Sequence, residues 1–250
     1  MKLLTYLQKT KNITRRDFED IMKSHLLKIN GELPSGFSAT VAVWDTITIT
    51  TPQWVFEETI DRLPYQKKAL VLFHKPKWYV VSKDDPHNKT IYELLPESWK
   101  NDFYYIGRLD KDSTGLLLLT NDSQLVNHYE SPQSDIHKVY RVHIDRPLKT
   151  RHFNTMRKGI WVTKDGNQPQ KWDKEKDMDF LSVVTVSQEK TWKWKIILTL
   201  TLNEWKNRHI RRLLSALWYE VKNLHRVKVG KWHIGSLKPK KWRIENKKLR

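Results

Sequence analysis

The stretch "GRLDKDSTGLLLLTND", residues 107–122, sets an Arg-Leu-Asp turn directly before four consecutive leucines. Leu116–Leu119, bounded by Gly115 and by Thr120-Asn121-Asp122, is too short a run for a typical helix and reads as a fully buried strand. Asp110 is then held beside a core, which is costly for a carboxylate unless it is hydrogen-bonded or paired with a cation. A second segment is rich in basic residues. In "NRHIRRLLSALW", residues 207–218, helical spacing puts Ile210, Leu213, Leu214 and Leu217 on one face, with Arg208, Arg212 and Ser215 opposite. Arg211 sits at the boundary, where it can lean toward a pocket beside the core.

Composition narrows the partner. Lysine and arginine total 46 against 28 acids, a formal net charge of +18, which points to a polyanion, nucleic acid before an anionic membrane surface. The charge is local. Residues 1–60 carry seven basic and seven acidic side chains, whereas 201–250 carry fifteen basic and three acidic. The absence of cysteine excludes disulfides, thiolate nucleophiles and cysteine-ligated metals, and the ten histidines form no H-E-x-x-H pair, so no metal is expected. Neither a G-x-x-x-x-G-K-[ST] loop nor a G-x-G-x-x-G fingerprint occurs. No stretch approaches the roughly 20 apolar residues of a membrane span, and the N-terminus lacks a signal-peptide core, so a cytoplasmic location is expected.

The elements that must position these residues divide in two. In residues 1–60, Leu3, Leu4 and Leu7 form one helical stripe, and Thr14 with Asp17 three residues on forms an N-cap arrangement opening a helix through Ile21 and Met22. "LLKING" predicts a strand into an Asn30-Gly31 turn, and "TITIT" at 46–50 predicts another. A linker is expected near 55–67. From 69 onward strand-like runs alternate with short helices ("ALVLF", "YVVS", "TIYELL", "FYYI", "GLLLLT", "SQLVNHY", "KVYRVHI", "FLSVVTVS", "KIILTLTL"), and many strands with few helices between them predict an α+β domain over 67–250 around a mixed, mainly antiparallel sheet. Residues 163–179 are polar and turn-rich and read as an exposed loop.

Four segments in this order, "HKPKWYVVS" (74–82), residues 107–122, "HKVYRVHI" (137–144) and residues 207–239, resemble the RsuA/RluB type of ribosomal RNA pseudouridine synthases. "TRRDFEDIM", "LLKING" and "VWDTITI" in residues 1–60 resemble the small RNA-binding domain named after ribosomal protein S-four. The resemblance implies isomerisation of a uridine in ribosomal RNA: the base leaves the anomeric carbon of its ribose, turns, and is rejoined through a ring carbon. It implies Asp110 as the catalytic carboxylate, a group that attacks or deprotonates best when ionised, desolvated and rigidly placed. It implies Arg211 as the cation offsetting that burial, Tyr140 as an aromatic for the extruded base, Leu224 as an apolar wall of the pocket, and Arg108 as a residue that assists flipping or holds RNA. Arg208 and Arg212, on the basic face of the 207–218 helix, are expected to bind substrate. No cofactor is implied, since substrate and product are isomers, and a monomer is expected.

A catalytically silent RNA-binding or ribosome-assembly protein is the rival reading, and the presence of Asp110, Tyr140 and Arg211 together weighs against it. A DNA-binding regulator using the 207–218 helix would explain the charge but not the Arg-Leu-Asp turn. Against the resemblance, His209 stands where glutamine is usual and Leu213 where methionine is common. Trp44, Trp78, Trp205 and Trp218 fall where glycine is expected, in a chain with twelve tryptophans and only eight glycines. The expectation is a gene in which UGA is read as glycine, with some or all of these four positions glycine, and the alternative is a chain that is simply rich in tryptophan. Trp218 in particular follows the apolar stripe where a left-handed C′ residue is expected.

Overall fold

The computed structural model describes residues 1–52, 54–60, 68–168, 170, 177–191, 195–204 and 206–245. Two compact units divide the chain: Met1–Lys68 with Pro96–Phe103, and Ala69–Leu95 with Tyr104–Arg250.

In the first unit, helices α1 (Leu3–Lys11) and α2 (Arg15–Lys23) precede strands β1 (Leu27–Ile29), β2 (Thr46–Thr50) and β3 (Val55–Thr59), and the short α3 (Trp99–Asp102) also belongs to it. The strands form an antiparallel sheet in the order β1-β2-β3. The Thr14 hydroxyl accepts the Asp17 N–H while the Asp17 carboxylate accepts the Thr14 N–H, a complete capping box for α2. Asn30 and Gly31 both take positive φ, 52° and 84°, as the tight turn after β1 requires. Leu3, Leu7, Phe18, Leu27, Ile47 and Ile49 make the core. The expected linker is corrected in part: residues 55–59 pair with β2 as β3, and 61–67 lie outside the described residues.

The second unit contains β4 (Leu70–Lys75), β5 (Tyr104–Ile106), β6 (Thr114–Thr120), α4 (Ser123–Glu130), β7 (Lys138–Ile144), α5 (Thr150–Lys158), β8 (Ile160–Thr163), β9 (Met178–Leu181), β10 (Thr185–Lys190), β11 (Ile196–Leu202), α6 (His209–Ala216), β12 (Val221–Val229), β13 (Trp232–His233) and β14 (Trp242–Glu245). Its large sheet runs β10-β11-β7-β12-β6-β4-β14, with β5 beside β6 and β13 beside β12. Every pairing in it is antiparallel except β12 with β6, which run parallel through His225↔Thr114 and Arg226↔Gly115. The fold is therefore α+β on a mixed, mainly antiparallel sheet. Leu116–Leu119 are fully buried on both faces of β6, as the unbroken apolar run predicts.

Two local expectations are corrected. "YVVS" contributes only a single bridge, Val80↔Thr90, while "TIYELL" supplies a short 3-10 turn over Ile91–Leu94. The ends of the 163–179 stretch are not loop: Thr163 closes β8, Met178 opens β9, and the two strands pair antiparallel. Residues 169 and 171–176 lie outside the described residues.

Candidate active site

The close approach of β12 to β6 places the site. Gly115 has a φ of 115°, and a Cβ there would overlap the Arg226 backbone, so only glycine lets the two strands meet in parallel at this point. Arg226 is fully buried and sends its guanidinium under the turn that precedes β6: Nε donates to the Leu116 carbonyl at 2.7 Å and Nη1 to the Arg108 carbonyl at 3.4 Å. Lys75, at the end of β4 and also fully buried, reaches the same turn. Its Nζ donates to the carbonyls of Ser113 at 2.8 Å, Asp110 at 3.0 Å and Pro76 at 3.1 Å. Burial pushes the Lys75 pKa down to about 8 although Asp110 and Asp112 pull it up. Two buried cations thus grip the backbone of the Arg-Leu-Asp turn.

The turn presents its carboxylate outward. Leu109 is buried, and the Asp110 side chain remains 23% exposed. Arg211, in the first turn of α6, is only 13% exposed; its Nε lies 3.7 Å from Asp110 Oδ2, and its Nη2 lies 2.9 Å from Asp112 Oδ2 and 3.4 Å from the Ser113 hydroxyl. Arg208, the N-cap residue of α6, brings Nη1 to 3.8 Å from the same Asp110 oxygen, from a far more exposed position. The expected meeting of Asp110 and Arg211 is present in space, with Asp112 as a closer partner of the arginine than Asp110. Among the described residues no group of three or more histidine or acidic side chains is gathered to hold a metal ion.

The remaining site residues are placed as follows. Arg108 is exposed, and Leu224 is buried on β12 opposite Val142 of β7. Tyr140, on β7, is wholly enclosed in this structure, with no ring face open to solvent; burial pushes its phenol up to about 12, partly offset by the Arg226 guanidinium beside it. Arg212 departs from expectation. It does not face solvent: its side chain is 5% exposed, Nη1 donates to Asp179 Oδ2 at 2.7 Å and to the Asn207 carbonyl, and Nε donates to the Thr163 carbonyl at 3.1 Å. The β8–β9 hairpin covers Arg212, whereas Arg208 and Ser215, which helical period places on the same face, stay exposed. Arg212 and Lys164 hold the Asp179 carboxyl below its ordinary range against the upward push of burial. The arginine therefore fastens a hairpin to a helix and is not positioned to bind RNA.

Sequence reasoning missed Lys75, Asp112 and Arg226. One signal was available: strand alternation in "VKNLHRVKV" puts Arg226 on the same face as the buried Leu224. His225 projects to the other face, where it pairs with the Thr114 hydroxyl at 2.8 Å and burial holds its pKa down near 4.

The site sets a carboxylate beside two arginines in a strongly basic chain, and similarity to known proteins gives the class. Residues 69–216 match the family described as RNA pseudouridylate synthase, and the chain belongs to that family. It is an RNA pseudouridine synthase, an isomerase. It is similar to ribosomal small subunit pseudouridine synthase A of Vibrio vulnificus, 26% identical over 97% of this chain and 95% of the relative. It is also similar to ribosomal large subunit pseudouridine synthase E of Vibrio parahaemolyticus, 29% identical over 73% of this chain and 76% of the relative. A solved structure described as a pseudouridylate synthase superposes with a TM-score of 0.58 at 24% identity, covering 98% of this chain and 96% of that one, and shares the fold. Among the described residues no helix is long and apolar enough to cross a membrane.

Proposed function

We propose that this protein converts a specific uridine of ribosomal RNA to pseudouridine, with Asp110 as the acting carboxylate. The observation that carries the reading is the Asp110 turn itself: its backbone is gripped from within by Lys75 and Arg226 while its carboxylate faces outward beside Arg211. A group held this way keeps one geometry through bond cleavage and rejoining, which is the requirement of an isomerisation that gains and loses no atoms. The carboxylate attacks the anomeric carbon, or removes a ribose proton, as the bond from that carbon to the uracil nitrogen breaks; the base turns, a ring carbon bonds to the anomeric carbon, and the proton that this ring carbon loses is balanced by one gained at the freed nitrogen. Arg211 balances the charge, and Arg208 and Arg108 are exposed enough to meet the phosphates flanking an extruded nucleotide. The names of the relatives supply ribosomal RNA as the substrate class. Residues 1–60 serve as an S-four-like RNA-binding module that selects the site.

Mapping pseudouridines by chemical labelling in ribosomal RNA from cells with and without the gene tests this reading. Loss of one modified position with the gene, restored by the wild-type protein and not by Asp110→Asn, is the expected result. An unchanged pseudouridine map would overturn it.

A further inference from the structure

The backbone gives tryptophan an anomalous role in this chain. All eight glycines have positive φ, from 53° at Gly230 to 136° at Gly36, and the other described residues that share it are Asn12, His25, Asn30, Asp135, Arg208, Lys240 and three tryptophans. Eight of the twelve tryptophans lie among the described residues, and three of them share that conformation: Trp44 at 75°, Trp78 at 73° and Trp218 at 65°. A side chain with a Cβ crowds the following carbonyl there, and Trp has none of the short polar groups by which Asn and Asp compensate.

Two of the positions sit in turn motifs that favour glycine, and the third is held at positive φ by its backbone partner. Trp218 is the C′ residue of α6: its N–H donates to the Ser215 carbonyl at 2.8 Å, and the Tyr219 N–H donates to the Leu214 carbonyl at 2.9 Å. Those two bonds are the Schellman motif, whose C′ residue is usually glycine. Trp44 is the third residue of the turn closed by Asp45 N–H to the Ala42 carbonyl, where positive φ marks a type II turn. Trp78 donates its N–H to the Lys111 carbonyl at 2.7 Å, so its backbone is also fixed by a long-range partner. None of the three indoles is used for packing: they are 76%, 65% and 76% exposed at 44, 78 and 218. Trp99 and Trp232 behave as tryptophans do. Trp99 is buried against Phe103, and the Trp232 indole donates to the Tyr129 hydroxyl.

We infer that residues 44, 78 and 218 are glycine in the protein as its own cell makes it, because that cell reads UGA as glycine, whereas a code that reads UGA as tryptophan writes an indole at each. UGA differs from the tryptophan codon UGG only in its third base, so such a translation writes tryptophan and no other residue at glycine sites. Position 205 lies outside the described residues and rests on the codon alone.

The gene and the native protein test this together. Codons 44, 78 and 218 are expected to be UGA and codons 99 and 232 UGG, and peptide mass spectrometry of protein from the native source is expected to find glycine at the first three. UGG codons there, or tryptophan in the native peptides, would overturn it. The structural half has its own test in the full recombinant chain. Trp218→Gly should raise the unfolding midpoint by about 2–4 °C, and Trp218→Ala, which removes the ring but keeps the Cβ, should raise it by clearly less. An alanine variant equal to the glycine variant would overturn the backbone argument.

Discussion

The Nζ of Lys75 lies 3.0 Å from the carbonyl oxygen of Asp110, so a lysine buried in the sheet holds the main chain of the residue whose side chain faces solvent. The pairing separates the two duties of the turn: its carbonyls point inward to cations, and its carboxylate points out.

Lys75→Met therefore strips a donor from the Pro76, Asp110 and Ser113 carbonyls at once and should cost about 2–4 kcal/mol, read by denaturant unfolding. The folded pKa near 8 lies below the ordinary value of 10.5, so the unfolded chain binds more protons between those values and stability rises with pH there. The wild type should accordingly gain stability relative to the methionine variant as pH rises from 8 to 10.5. A constant difference across that window would show that Lys75 is not held near 8.

Asp110→Asn should abolish pseudouridine formation while leaving the unfolding midpoint and RNA affinity nearly unchanged. The amide keeps the shape but is neither charged nor nucleophilic. Turnover by the purified variant would remove Asp110 from the mechanism.

Arg211 bridges Asp110 and Asp112, so Arg211→Leu leaves two carboxylates without their shared cation. Activity should collapse, with a stability loss of about 1–3 kcal/mol in view of the partial exposure of the acids. Asp112→Asn isolates the second contact: it should lower kcat while KM for RNA holds, because it loosens Arg211 without touching a surface that meets phosphates.

Arg212 and Arg208 differ sharply despite sitting on one helix. Arg212→Leu should cost about 2–4 kcal/mol, because it leaves Asp179 with only the exposed Lys164 and strips donors from the Thr163 and Asn207 carbonyls. Arg208→Ala should barely move stability and should weaken RNA binding, reducing the slope of log affinity against log salt by about one. Binding curves at several salt concentrations separate the two.

His209 is 2% exposed and donates to the Ser182 carbonyl, and burial holds its pKa near 4 against an ordinary 6.5. The unfolded chain takes up the proton first, so stability is lost as pH falls from 6.5 to 4, by about 3 kcal/mol in full. His209→Gln keeps a donor for Ser182 and removes the titration. Its unfolding free energy should fall less steeply over that window than that of the wild type.

Much of the fold is legible in the sequence. Leu116–Leu119 reads as a strand because a run apolar on both sides can only be buried on both sides, and Thr14 with Asp17 reads as a helix start because the cap is local chemistry. Asp110 and Arg211 are paired through the motif order that they share with a family, which no periodicity supplies. Arg212 is misread from spacing because helical period knows one helix, whereas its burial depends on a hairpin whose Asp179 lies 33 residues away. Lys75 and Arg226 escape notice for the same reason. A cation inside a strand becomes a buried clamp only when distant carbonyls arrive around it.

The parallel contact of β12 with β6 also orders events in time. Arg226 grips the carbonyl of a residue 118 positions earlier, so the Arg-Leu-Asp turn leaves the ribosome without one of its two anchors. At about 5–20 residues per second the wait is roughly 6–24 s, during which β4, β5 and β6 can pair among themselves. The competent geometry closes only when β12 arrives, so a chain truncated or stalled before that strand would carry the whole Asp110 motif and still lack a formed site.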